Sequence, residues 1–212
     1  MGQKRFDEYF AKVVLEKCFP EKFIDLKISD KPDLRSGSDI GIEVTNCMPK
    51  EAVEAFNLWH RVDKQGEQTS PRILERLEQL KDIVHLEGNQ LIWEQCSYVD
   101  GDIDNSPIKE FVKAVANKVE RLNSVNANYA EMKSYELFVN STIDISSFNQ
   151  IYAILTRILE LNNRLKKFDN IHLITINQKL FTFDLANSTF QVKYLYSRLE
   201  SMAQIARNLY KA

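Results

Sequence analysis

Lys31-Pro32-Asp33-Leu34-Arg35-Ser36-Gly37-Ser38-Asp39-Ile40-Gly41-Ile42-Glu43-Val44-Thr45 holds two extended segments joined by a turn. Over 40–45 apolar and polar residues alternate strictly. Ile40, Ile42 and Val44 share one face of a strand, and Gly41, Glu43 and Thr45 share the other. Ser36-Gly37-Ser38 supplies the turn chemistry. Upstream, FIDLKIS (23–29) alternates as a half-buried strand, and Asp30–Arg35 continues extended through Pro32. Residues 4–19 place Phe6, Phe10, Val13 and Val14 on one helical stripe, which Pro20 ends. The opening unit is therefore a helix followed by a three-stranded meander.

Two carboxylates stand out in that unit. Asp33 ends one strand and Glu43 lies on the next, across a short turn. Neighbouring strands run about 5 Å apart, so side chains on one face can reach a common cation. Magnesium favours one or two carboxylates with a carbonyl and several waters. Asp33 and Glu43 fit that demand, with the backbone carbonyl of Val44 as a third ligand and Gly41 leaving room above the sheet. Asp39 has the parity of Glu43 and is the second choice in place of Asp33. The bland alternative for Asp33 is a turn residue bonded to its own backbone. An inward Glu43 among Ile40, Ile42 and Val44 is expensive unless paired or metal-bound, and unremarkable if its face meets solvent.

The remainder of the chain narrows the chemistry by scarcity. Its 212 residues suit one full core, and 28 Lys+Arg against 30 Asp+Glu give a formal charge of −2. That balance provides no global basic field for nucleic acid. With only 6 Gly there is neither a GxGxxG nor a phosphate-cradling P-loop. His60, His85 and His172 are isolated, and His172 reads as a satisfied core histidine. Cys18, Cys47 and Cys96 suggest neither a disulfide framework nor a zinc site. No apolar run reaches the ~18 residues of a membrane span, and the N-terminus lacks a signal-peptide core. The expected setting is reducing and cytoplasmic, with no membrane partner.

Beyond the opening unit, periodicity predicts helices over 49–64, 71–86, 108–123, 148–167 and 192–210. Strands are predicted at 91–99 and 135–140, with a hairpin of 171–176 and 179–184 across Asn177-Gln178. The loop 100–104 superficially resembles a calcium loop, but Asn105 and Phe111 stand where Gly and Glu are needed, so it reads as a solvated acidic turn. Helices alternating with strands argue a single α/β domain around a mixed sheet.

This order, with Pro32-Asp33 at a strand end and Glu43 on the next strand, resembles the PD-(D/E)XK nuclease superfamily. The resemblance implies a restriction-endonuclease-like αβββαβ core in which helices flank a mixed central sheet. In a single domain over 1–212, the core would occupy 4–49 and 107–176. A helical insertion would fill 50–106, and a C-terminal hairpin and helix 178–212. It implies a magnesium- (or manganese-) dependent phosphodiesterase acting on DNA or RNA. Asp33 and Glu43 would bind the metal, and Glu16 would match that family's helix carboxylate.

The departure is Thr45, which stands where the family motif has Lys; a hydroxyl orients water but supplies no positive charge. Members of the superfamily sometimes carry the lysine on another element. Lys118 is the candidate here, at the edge of the Phe111/Val115/Leu122 stripe, whereas Lys113 points nearly the opposite way. Glu16 likewise flanks Tyr9 and Val13, while Glu8 faces solvent. Two basic groups, Arg157, Arg164, Lys166 and Lys167, and Lys193, Arg198, Arg207 and Lys211, are either phosphate contacts or solvated helix faces. The alternative function is a non-catalytic relative that binds nucleic acid or protein. An accidental PD…E pattern in an unrelated α/β protein is the third reading.

Overall fold

The computed structural model describes residues 6–47, 70–80, 84–87, 90–93, 107–126 and 128–211, with isolated positions between 51 and 62. The chain divides into two compact units, one of residues 1–47 and 111–212, the other of residues 48–110. In chain order the elements are α1 (Phe6–Cys18), β1 (Lys27–Ile28), β2 (Leu34–Ser36), β3 (Ile40–Asn46), α2 (Pro71–Gln79), β4 (Val84–Glu87), β5 (Gln90–Trp93), α3 (Pro107–Asn123), β6 (Ser134–Asn140), α4 (Phe148–Leu161), β7 (Asn170–Ile174), β8 (Lys179–Asp184), β9 (Thr189–Tyr194) and α5 (Ser197–Lys211). No helix among the described residues is long and apolar enough to cross a membrane.

The first unit is a mixed α/β structure on a seven-stranded sheet, ordered β1-β2-β3-β6-β7-β8-β9. The central strands β3, β6 and β7 are parallel, and the remaining pairings are antiparallel. Register assigns the two faces. Glu43, Leu137, Ile171, Phe183 and Phe190 form one row across five strands, and Val44, Phe138, His172, Thr182 and Gln191 form a row on the other face. Phe10 of α1 meets Phe138 with ring centroids 6.3 Å apart, so α1 covers the second face. There α1 packs with α5, and their Val13, Val14, Met202 and Ala206 join Ile42 and Leu180 in one buried cluster. Phe148 and Tyr152 of α4 meet Phe190, which puts α4 on the Glu43 face. Burial on both faces explains why the central strands lose the half-exposed pattern of an edge strand.

Four predicted elements are corrected. The strand expected over 23–29 is only two residues long, since Asp25 takes φ 51° and breaks the extended run; Phe23 and Leu26 are still buried. The helix expected over 71–86 ends at Gln79, and Val84–Glu87 instead forms an antiparallel hairpin with Gln90–Trp93. The helix expected over 148–167 stops at Leu161. Asn162 donates to the Phe168 carbonyl at 2.7 Å and accepts from its N–H at 2.9 Å, which turns the chain back. Finally, the start of the helix expected over 192–210 belongs to β9, where Phe190, Val192 and Tyr194 alternate against β8. Tyr196, with φ 37°, makes the turn into α5. The helix expected over 49–64, the acidic loop 100–104 and residues 94–99 of the expected strand fall mostly or wholly outside the described residues.

Candidate active site

The site begins where the β2–β3 ladder ends. Register pairs Leu34 with Ile42, and beyond that point Pro32 has no N–H with which to continue. Asp33 takes over: its Oδ2 accepts the Val44 N–H at 2.7 Å, so Val44 meets the site through its amide. Pro32 folds onto Gly41, where an added Cβ would lie 2.6 Å from Pro32 Cγ and 2.9 Å from Met132 Cγ. The room expected above Gly41 is thus filled by these two side chains. Its missing side chain lets the Asp33 segment lie close against β3.

Glu43 points from the middle of β3 into the layer under α3 and is 1% exposed. Lys118, on α3, donates to Glu43 Oε2 at 2.7 Å and lies 3.6 Å from Asp33 Oδ2. Its side chain is 12% exposed. Three residues from separate segments thus converge: two carboxylates ten positions apart, and a lysine 75 positions from Glu43. The stripe position that singled out Lys118 follows from Phe111, Val115 and Leu122 being buried, which leaves the lysine at the rim of the buried face, beside the sheet. Thr45 lies on the Glu43 face, paired with Val139, and is partly exposed. The positive charge facing the carboxylates comes from Lys118.

The segment leading into β6 walls this group on another side. Ala130 N–H donates to the Lys31 carbonyl at 3.2 Å, and Tyr135 Oη donates to the Ala130 carbonyl at 2.6 Å. Tyr129 packs edge-on against Tyr135, with centroids 6.5 Å apart and planes at 87°. Burial, then the charge and close approach of Glu43, push the Tyr129 phenol well above the usual tyrosine range. Its hydroxyl oxygen is buried and has no hydrogen-bond partner. Sequence reading missed Tyr129, because a loop residue in NANYAEMKSY carries no periodicity and the contact that places it is made by the Lys31 loop.

Glu16 does not join this group. Its Oε1 accepts from Lys12 at 2.6 Å and from the Leu26 N–H at 2.7 Å, on a helix that packs against the opposite face of the sheet. Asp39 sits at the exposed β2–β3 turn and pairs with Lys133 at 2.9 Å. That contact holds the Asp39 carboxyl below the ordinary aspartate range.

The donor set defines which ion it suits. Among the described residues no group of three or more His, Cys, Asp or Glu could enclose a metal. Two carboxylates match magnesium or manganese completed by water and substrate oxygens, and do not match a closed protein cage. No family model, curated protein or solved structure matches the chain.

A second polar cluster lies across the sheet. His172 Nε2 faces Glu136 Oε2 at 2.7 Å, and its Nδ1 faces Thr182 Oγ1 at 3.0 Å. The carboxylate only accepts, so Nε2 carries the proton. Lys22 Nζ reaches Glu136 Oε1 at 2.6 Å. His172 is therefore a core histidine with both nitrogens engaged, while Glu136 went unnoticed in an apolar strand. Of the basic residues read as either phosphate contacts or solvated helix faces, Arg157 pairs with Glu160 at 2.7 Å. Lys193 donates to the Cys18 carbonyl and sits 4.2 Å above the Phe19 ring. Lys193 belongs to β9 and not to the last helix.

Proposed function

We propose that the chain is a metal-dependent phosphodiesterase of the PD-(D/E)XK type, hydrolysing DNA or RNA. The convergence of Asp33, Glu43 and Lys118 at one buried point carries this reading. The succession α1-β1-β2-β3, then α3-β6, supplies the αβββαβ order of the proposed restriction-endonuclease-like core, with Lys118 on α3 as the displaced lysine. A cytoplasmic setting goes with it.

In this reading Asp33 and Glu43 hold magnesium or manganese, which would supply Lewis acidity at the scissile phosphate. Asp33 is pre-set by the Val44 amide and Glu43 by its strand, so neither needs reordering before substrate arrives. Lys118, placed between them, is the cation that faces charge building on the phosphate. Thr45 lies on the same face as an orienting hydroxyl.

The test is cleavage of plasmid DNA, single-stranded DNA and structured RNA with magnesium, manganese or EDTA. Metal-dependent hydrolysis lost in Asp33→Asn, Glu43→Gln and Lys118→Met supports the reading. Cleavage retained by Glu43→Gln defeats it. One observation favours a second reading, a non-catalytic binding module: Lys118 already serves as counter-ion to both carboxylates. Manganese calorimetry separates the two, since a lysine-neutralised structural cluster binds no ion.

A further inference from the structure

Tyr129 presents the unusual group in this site. Most polar atoms buried in proteins have hydrogen-bond partners, and an orphaned one is destabilising. The Tyr129 hydroxyl oxygen is buried with no partner at hydrogen-bond distance, and it faces the Glu43 carboxylate. Its ring is fixed edge-on against Tyr135, and the chain that carries it is tied to the Lys31 loop through Ala130. The ring is thereby held in place, and only the O–H bond is left to turn. The hydroxyl is also close to Glu43, and the same residue lines an open cleft of 240 Å³ with Leu122, Asn128 and Lys166.

The chemistry of the neighbours narrows what this hydroxyl can serve. Two carboxylates confront any anionic ligand, and the single ammonium among them is engaged with both. A phosphodiester needs donors that are not already committed. Glu43 cannot donate when ionised, and Lys118 gives one of its three N–H groups to Glu43, which leaves a place for a second donor beside it. We propose that Tyr129 is a further catalytic residue, its hydroxyl donating a hydrogen bond to a non-bridging oxygen of the scissile phosphate. The inference rests on the phosphodiesterase reading above and assigns a neutral donor to act beside the Lys118 ammonium. No proton is transferred. The phenol stays neutral, and its bond strengthens as charge grows on that oxygen.

Tyr129→Phe deletes one oxygen and keeps the ring against Tyr135. Removing a donor of this kind lowers kcat/KM by about 100-fold. Binding of a short oligonucleotide in EDTA should weaken by about threefold to tenfold. The melting temperature of the metal-free variant should match or exceed that of the parent, because an orphaned hydroxyl has been removed. A lowered melting temperature would mean that the hydroxyl has a protein partner and a structural role, which overturns the proposal. Unchanged kcat/KM in a variant of an active parent overturns it too, and leaves the phosphodiesterase reading standing. A parent that cleaves none of the substrates brings down both.

Discussion

Replacing Lys118 by Met keeps the length and apolar stem of the side chain and deletes only its charge. In the parent the ammonium stands 2.7 Å from Glu43 and 3.6 Å from Asp33. The side chains of Glu43 and Asp33 are 2% and 22% exposed, so the stranded carboxylates have little water to turn to. Removing one partner of such a buried pair destabilises by about 3–5 kcal/mol. At about 2–4 °C per kcal/mol for a chain of this size, the melting temperature should fall by roughly 6–20 °C in EDTA. Manganese should then restore part of the loss, since the ion can take the place of the ammonium. At 100 times its dissociation constant, a ligand binding only the folded state returns about 2.7 kcal/mol. Scanning calorimetry of parent, Lys118→Met, Glu43→Gln and the double variant, with and without manganese, measures each term. The double variant should recover much of the loss, because one of the two stranded charges is gone. A Lys118→Met melting temperature within 2 °C of the parent, on the order of 1 kcal/mol or less, would refute the reasoning. Loss without rescue by manganese would keep the ion pair but remove the metal.

Three further outcomes follow from the packing. Gly41→Ala sets a methyl 2.6 Å from Pro32 Cγ; overpacking of this kind is destabilising by about 1–3 kcal/mol, and chemical denaturation should show it together with weakened manganese binding as the Asp33 segment is pushed away. Burial pushes the Glu136 carboxyl up, but the hydrogen bond and charge of His172 and the Lys22 ammonium outweigh it, so its pKa is lowered on folding. The stability it contributes is thus present above the usual glutamate range and lost as pH falls through and below it; Glu136→Gln should flatten the acid limb of a melting-temperature profile, and identical limbs would contradict the assignment. At α4, Ser147 accepts the Gln150 amide at 3.3 Å in a capping box; Ser147→Ala should be destabilising by about 1 kcal/mol in urea titration, while Ser146→Ala should change little.

Much of the sheet was legible because its pattern is local. Ile40, Ile42 and Val44 alternate within one strand, and Ser36-Gly37-Ser38 announces the turn before it. The same locality brought Asp33 and Glu43 to notice, and the helical spacing of Phe111, Val115 and Leu122 pointed Lys118 inward. What escaped depends on neighbours far away in sequence. Phe190-Gln191-Val192-Lys193-Tyr194 carries apolar residues suited to either period, and only β8 makes it a strand. Leu195, inside the span 192–210 expected as helix, is buried just before the helix begins. Glu16 has the flank position of a site residue, but helix periodicity does not reveal that α1 covers the other face. Tyr129 depends on a loop–loop hydrogen bond that no periodicity encodes.

The sequence distances within the carboxylate–lysine group also impose an order on folding. Bringing Asp33 to Val44 closes a loop of eleven positions, whereas Lys118 must arrive across 75. Short loops close at lower entropic cost and earlier than long ones. The meander therefore gathers two negative charges before their counter-charge is in place, and the nascent chain passes through a state more repulsive than either end of the reaction. Dissolved cations can screen that interval. Refolding should quicken with added salt, and quicken less in Glu43→Gln.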